Sequence, residues 1–258
     1  MKSETSLSAI TCGTAQIYKI DMKPETLQKL KSHAFRALEN HDNYKDHTYS
    51  LAGHIKQGKQ LLLPLNEEFL KDYVFNLKWA AEQYYHNYLD VIGRRNDPVY
   101  QLRQLSFEDT WLNSYYAGDY NPVHDHGTIS PIGLSSFTFI NTPDSIKSVY
   151  ELKDRNISRS DPDVLDGHTT ISWGYRYHSS EQEVESLQYP AALTLYPEEG
   201  TTYLFPKWMD HQVYPFRGDG VRITMATNIS IWPVKYASSI PQPAGRLNRS
   251  QRRKKKSK

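Results

Sequence analysis

The 258-residue chain predicts a mainly β domain, a sandwich or barrel, with helices gathered at its N-terminal side. Three observations predict it. Short β-branched and aromatic runs recur from residue 98 onward: VYQLRQLSF, TWLNSYYAG, LSSFTFIN, AALTLYP, TTYLFP, HQVYPF and VRITMATNISIW. Gly, Pro, Asn and Asp punctuate them at close intervals, the texture of a sandwich or barrel. The first third instead carries two stretches with helical spacing of apolar residues.

In chain order, residues 16–21 (QIYKID) alternate like a strand. Pro24 opens a helical stretch, PETLQKLKSHAFRALEN, with Leu27, Leu30, Phe35 and Leu38 near helical spacing. Residues 41–60 are polar with scattered His and Gly, and read as a loop region. Residues 66–91 read as a long amphipathic helix, with Asn66 suited to the cap and Gly93 to the stop. The β runs follow, interrupted by a long polar segment, 143–189, of the kind that forms lids or binding loops. Residues 238–245 (SSIPQPAG) read as a linker. The expected organisation is residues 1–97 packing on a barrel, 98–237 as the barrel itself, and 238–258 as a disordered basic tail.

With 38% apolar residues the chain can bury a sizeable core. No run approaches the length of a membrane helix. The first residues lack an apolar signal core, and the single Cys12 allows no internal disulfide, so a cytoplasmic protein is expected with an inert cysteine. The net charge of +2 hides an asymmetry: residues 246–258 carry eight Lys or Arg and no acid, which leaves the rest at −6. Such a tail stays disordered because like charges repel and nothing apolar is there to bury. It serves either as a solubilising end or as an arm for nucleic acid or another polyanion. Without interleaved aromatics, sequence-specific recognition is not expected.

The segment Asn121-Pro122-Val123-His124-Asp125-His126-Gly127 carries the most chemistry. On a strand, residues two apart face the same side, so His124 and His126 present two imidazoles to one point while Asp125 faces away. Imidazole suits iron, zinc, copper and nickel. His211 sits at the start of a later strand-like run. Beyond a Gly218-Asp219-Gly220 turn, alternation puts Arg222, Thr224, Ala226 and Asn228 on one strand face and Ile223 and Met225 on the other. Arg is rarely buried without an anionic partner, and its planar fork matches a carboxylate. That partner is either a bound carboxylate or an internal Asp or Glu.

A close His pair, a distant His and an Arg about ten residues later resemble the 2-oxoglutarate/iron(II) oxygenase superfamily. More narrowly, the chain is similar to prolyl-hydroxylase-like oxygenases common in marine bacteria and their phages. The similarity lies in W-L-N at 111–113, Y-N-P-V-H-D-H at 120–126, L-S-S-F-T-F at 134–139 and D-G-H-T-T-I-S-W-G at 166–174. It continues in the stretches 198–216 and 219–228. The resemblance implies a double-stranded β-helix, a jelly-roll or cupin-like barrel. It implies that His124, His126 and His211 bind iron(II), and that Arg222, helped by Thr224, holds the distal carboxylate of 2-oxoglutarate. Oxygen would take the remaining position, with succinate and carbon dioxide as coproducts of hydroxylation of a protein side chain or small molecule. The chain departs from the superfamily in having His126 where an Asp is usual, and Phe139 where an aromatic hydroxyl is usual. Tyr116 or Tyr203 could supply that hydroxyl.

Other residues receive plainer roles. Asn113 could point inward and touch ligand, Asn121 sets the turn before Pro122, and Asn228 makes structural hydrogen bonds. His168 and His178 are expected exposed; His33, His41, His47, His54 and His86 are structural or solvent-facing. Trp111, Trp173, Trp208 and Trp232 pack the barrel and its rim, and Trp173 with Tyr175 could line a substrate pocket. Two readings compete with a 2-oxoglutarate hydroxylase: a three-His dioxygenase that uses no 2-oxoglutarate, and a non-enzymatic metal-binding module. Arg222 with Thr224 favours the hydroxylase, because a pure three-His centre needs no cosubstrate anchor.

Overall fold

The computed structural model describes residues 6–12, 15–50, 53–64, 68–127, 130–146, 165–174 and 192–241. Most of the long polar segment (with Tyr175 and His178), the cap position Asn66 and the basic tail lie outside the described residues.

Twelve strands and two α-helices make up the described fold. They run β1 (Ser6–Cys12), β2 (Ala15–Asp21), α1 (Pro24–Glu39), β3 (Lys45–Asp46), β4 (Lys59–Leu62), α2 (Lys71–Val91), β5 (Leu102–Tyr115), β6 (Asn121–His124) and β7 (Ile132–Asn141). β8 (Thr169–Ser172), β9 (Ala192–Leu195), β10 (Thr201–Pro206), β11 (Asp210–Val213) and β12 (Arg222–Pro233) complete them. The large sheet has the order β1-β2-β10-β7-β12-β5-β4-β3, and the small one β6-β11-β8-β9. Every pairing is antiparallel, as expected of the double-stranded β-helix.

Strand alternation builds two apolar layers. One face of the large sheet (Leu61, Leu112, Leu134, Leu204, Ile223, Met225, Ile229, Ile231) packs on Leu30, Ala34 and Ala37 of α1 and on Tyr73, Leu77, Ala81 and Tyr85 of α2. The opposite face meets the small sheet through Phe137, Phe139, Phe205, Tyr203, Ile171 and Leu195. The buried hydroxyls on the helix side are satisfied: Thr227 Oγ1 lies 3.1 Å from the Tyr73 hydroxyl and 3.0 Å from Thr110 Oγ1.

Several elements differ from the sequence reading. In α1 the buried stripe is Thr26, Leu30, Ala34 and Ala37, so Phe35, one step round the helix, is 37% exposed. The α2 helix starts at Lys71 rather than 66, after a short 3₁₀ turn over Glu68–Leu70. It stops as expected at Gly93, whose φ of +66° is open to glycine, while Arg94 N–H donates 2.8 Å to the Leu89 carbonyl. The 41–60 stretch is not all loop: β4 pairs with β5, and β3 with β4. Asp119, 1% exposed, anchors the approach to β4 by accepting from Lys56 N (2.7 Å), Gly58 N (2.9 Å) and Tyr116 N (3.1 Å). A Cβ at Gly58 would collide with the Ser114 carbonyl, so this close approach requires glycine. No described helix is long and apolar enough to cross a membrane.

Candidate metal and cosubstrate site

His124, His126 and His211 converge, with one ring nitrogen from each lying within 4.8 Å of the others. His124 ends β6, and its cross-strand partner is His211 on β11. His126 lies beyond the end of β6 rather than on it. A turn brings it back: Asp125 Oδ1 accepts from Gly127 N at 2.7 Å, Gly127 has φ +53°, and His126 N donates to the Lys207 carbonyl at 3.2 Å. Asp125 is exposed and is not part of the cluster. Among the described residues the cluster thus holds three imidazoles and no carboxylate.

The rings fit a cation. His126 Nε2 and His211 Nε2 stand 3.0 Å apart. Two imidazole nitrogens bound at about 2.1 Å to one ion, at right angles, would be separated by about the same distance. The far nitrogens are held from behind: His124 Nδ1 lies 2.7 Å from the Pro122 carbonyl, His211 Nδ1 3.3 Å from the Met209 carbonyl and His126 Nδ1 3.2 Å from Asn228 Nδ2. Burial, reinforced by His124 and then Lys207, pushes His126 down to about 4. Burial, then His124 and His126, takes His211 well below its ordinary value. Both rings therefore stay neutral at neutral pH, with lone pairs free to ligate.

The cavity floor is a set of cross-strand rows on β4, β5, β12 and β7. Arg222 faces Tyr115; Thr224 faces Asn113 and Phe139, and Asn113 faces Gln60; Ala226 faces Trp111 and Phe137; Asn228 faces Ser135. All members of the Arg222, Thr224 and Ala226 rows except Phe139 line one cavity together with the three imidazoles. Arg222 is 1% exposed, with Nε donating 2.9 Å to the Gly167 carbonyl and Nη2 2.8 Å to Thr169 Oγ1. Its carbon centre lies 5.4 Å from the Tyr115 ring and 5.3 Å from the Phe139 ring. Nη1 has no partner among the described residues, so the internal Asp or Glu that would have explained this arginine is not found there. Burial lowers its pKa to about 10, still well above neutral, so the cation persists. Burial raises Tyr115 to about 12 and keeps the phenol protonated.

Some sequence-predicted residues fall elsewhere. Asn113 does line the cavity, with Oδ1 unpartnered. The same alternation turns Tyr115 inward, and Tyr116 is not among the residues lining the cavity. Tyr203 packs with Phe137 between the sheets and does not line the cavity either. Asn121 reaches His124, its Nδ2 3.3 Å from Nε2, rather than only shaping the turn. His168 is not exposed: it is 1% accessible, edge-on to Tyr196, with Nε2 unpartnered. Trp232 is buried and Trp173 half-buried against the inter-sheet layer, whereas Trp208 is 57% exposed. Gln60 and Thr169 also line the site without a distinct signal in the sequence, and Tyr115 lines it where alternation counted from Asn113 places it. Thr169 lies in the quoted D-G-H-T-T stretch, but nothing there disclosed that it would hold Arg222.

Residues 109–228 match the family model described as "Putative 2OG-Fe(II) oxygenase". No curated protein matched. Among solved structures, a prolyl-4-hydroxylase of Pseudomonas putida is 10% identical with a TM-score of 0.48, covering 89% of this chain and 93% of that one. A Trichoplax adhaerens prolyl hydroxylase, solved with a hypoxia inducible factor peptide fragment, is 12% identical with a TM-score of 0.48, covering 88% and 87%. HygX of Streptomyces hygroscopicus, solved with nickel, 2-oxoglutarate and hygromycin B, is 9% identical with a TM-score of 0.48, covering 84% and 83%. These structural likenesses are too distant to carry a functional argument, which rests on the family match. All three imidazoles, Arg222 and Thr224 fall inside the matched segment. The match covers a little under half of the chain, and this barrel segment is thereby similar to the 2-oxoglutarate/iron(II)-dependent oxygenases.

Proposed function

We propose that the protein hydroxylates a C–H bond of a protein side chain or small molecule, with His124, His126 and His211 holding iron(II) and Arg222 with Thr224 holding the distal carboxylate of 2-oxoglutarate. The observation that carries this reading is the buried guanidinium, whose unpartnered Nη1 shares one cavity with the imidazole cluster. Bound iron(II) supplies oxygen activation coupled to decarboxylation of 2-oxoglutarate to succinate and carbon dioxide.

The chain's own residues bind, orient and exclude water. Gly167 and Thr169 occupy Nε and one side of Nη2, so the guanidinium presents Nη1 to a carboxylate. Thr224 and the protonated Tyr115 hydroxyl are donors beside it on the cavity wall, and Asn113 Oδ1 is an acceptor there. The carbonyls of Pro122 and Met209 accept Nδ1–H from His124 and His211, which turns each Nε2 lone pair to the cavity (the Asn121 amide, 3.3 Å from His124 Nε2, must give up that contact when a metal binds). For His126, the Asn228 amide must turn its otherwise unpartnered Oδ1 toward Nδ1 to do the same. Phe137 and Trp111 supply apolar wall that keeps bulk water from the reacting face.

Succinate formation with iron(II), 2-oxoglutarate and candidate substrates tests the assignment, alongside calorimetric titration of 2-oxoglutarate as a binding control. Absence of both cosubstrate binding and succinate would refute it. We also propose a cytoplasmic location, supported by the single cysteine, and polyanion contact through residues 246–258, supported by their charge.

A further inference from the structure

We infer that metal and cosubstrate bind this protein cooperatively to an unusual degree, because the 2-oxoglutarate dianion supplies the negative charge that the described residues around the metal lack. The inference rests on the function proposed above and concerns how its two ligands depend on each other.

Among the described residues, the three metal-facing side chains are imidazoles, which ligate a metal as neutral groups and bring it no negative charge. The groups behind them are neutral as well: two backbone carbonyls and the Asn228 amide. The acids near His126 do not compensate. Asp125 is exposed, with its Oδ1 engaged by Gly127 N. Glu108 is spoken for by Lys207, 2% exposed, at 2.7 Å, and by Ser230 Oγ. At the other end of the cavity Arg222 is a buried cation with no carboxylate partner among the described residues. A divalent ion at the imidazoles and the guanidinium therefore sum to +3 across one small cavity, with no carboxylate of the described residues lining it.

Like charges repel strongly at low effective dielectric, so the ion alone is opposed by Arg222 and by the lack of a carboxylate ligand. A dianion that touches both ends removes the repulsion in one step. Linkage makes the effect reciprocal: whatever 2-oxoglutarate adds to metal affinity, the metal adds to 2-oxoglutarate affinity. A carboxylate at position 126 would supply part of that charge in advance, tightening the ion alone and leaving less for the dianion to add.

Co²⁺, titrated calorimetrically into the whole protein with and without saturating 2-oxoglutarate, reads the coupling directly. In the wild type, 2-oxoglutarate should tighten Co²⁺ by a hundredfold or more. In His126→Asp, Co²⁺ alone should bind more tightly, and the enhancement should shrink at least tenfold. Asn228→Asp places the carboxylate one shell further out and should move both quantities in the same direction, which keeps the test open if His126→Asp does not fold. An enhancement as large in the folded variants as in the wild type overturns the inference while leaving the site assignment intact. Failure of the wild type to bind Co²⁺ under either condition, with its fold intact by circular dichroism, overturns the site assignment and the inference with it.

Discussion

Arg222 shows how one side chain would trade stability for the binding proposed for it. A buried guanidinium with an unpartnered Nη1 is costly to the ligand-free fold, because desolvation is only partly offset by Gly167, Thr169 and the Tyr115 ring. Arg222→Met should therefore leave thermal stability unchanged or raise it by about 1 to 4 kcal/mol. The same change should weaken 2-oxoglutarate binding by roughly ten- to a hundredfold, the worth of a charge-assisted hydrogen bond, with metal binding alone preserved. Equal cosubstrate affinity in the variant, read by calorimetry on metal-loaded protein, would remove Arg222 from its role. His168 offers a pH prediction. Its pKa is lowered, chiefly by burial, so the unfolded chain takes up the proton first as the solution is acidified. Its contribution to stability is complete above about pH 6.5, the unfolded value, and is lost as the pH falls toward the lower folded value. Replacing it with Gln should flatten the melting temperature against pH below about 6.5; an unaltered slope would assign the acid sensitivity to other groups. Sequence reading placed this ring at the surface because it lies in a polar stretch, and polarity alone does not reveal that a neighbouring strand will cover it.

At the scale of elements, the site depends on which residues of a strand face inward. Alternation read correctly for β12, where long regular pairing fixes the face of Arg222, Thr224 and Ala226. It gave too little at His126, which leaves the strand and is returned by the Asp125–Gly127 turn. Tyr116 was the expected hydroxyl, yet counting from Asn113 in steps of two arrives at Tyr115, so the periodicity already held the answer. The opposite problem arises at β4: four residues are too few to show a period, and Gln60 reaches the cavity only because β4 pairs with β5. Asp119 holds that connection. Asp119→Ala would strand three N–H groups, of Lys56, Gly58 and Tyr116, and should lower unfolding stability by about 2 to 4 kcal/mol in chemical denaturation. Loss of less than about 0.5 kcal/mol would mean that water replaces the carboxylate there without penalty.

For the whole molecule, the fold class was legible because many short punctuated runs leave few architectures open, and the helices because their apolar spacing is long enough to show its period. The union of two runs into the single 14-residue β5 was not, since an acidic, exposed Asp109 interrupts the apolar pattern where β5 begins to turn inward. The basic tail, residues 246–258, is the other whole-molecule feature, set against a body of opposite net charge. Its removal should weaken binding to heparin or nucleic acid, most visibly at low salt, while 2-oxoglutarate affinity stays within about twofold. A tail-less protein that loses cosubstrate affinity would show that the tail contributes to the site after all.

Strand β12 carries the proposed cosubstrate anchor, Arg222, on one side and Ile223, Met225, Ile229 and Ile231 for the helix layer on the other. Sliding it by a single position against its neighbours would drive a guanidinium into oil and leave four branched or long aliphatic chains facing water. The chain thus has no nearby misaligned state in which the pocket is spoiled yet the scaffold survives: a molecule that completes its interior has, by the same alignment, also assembled the floor of its cavity.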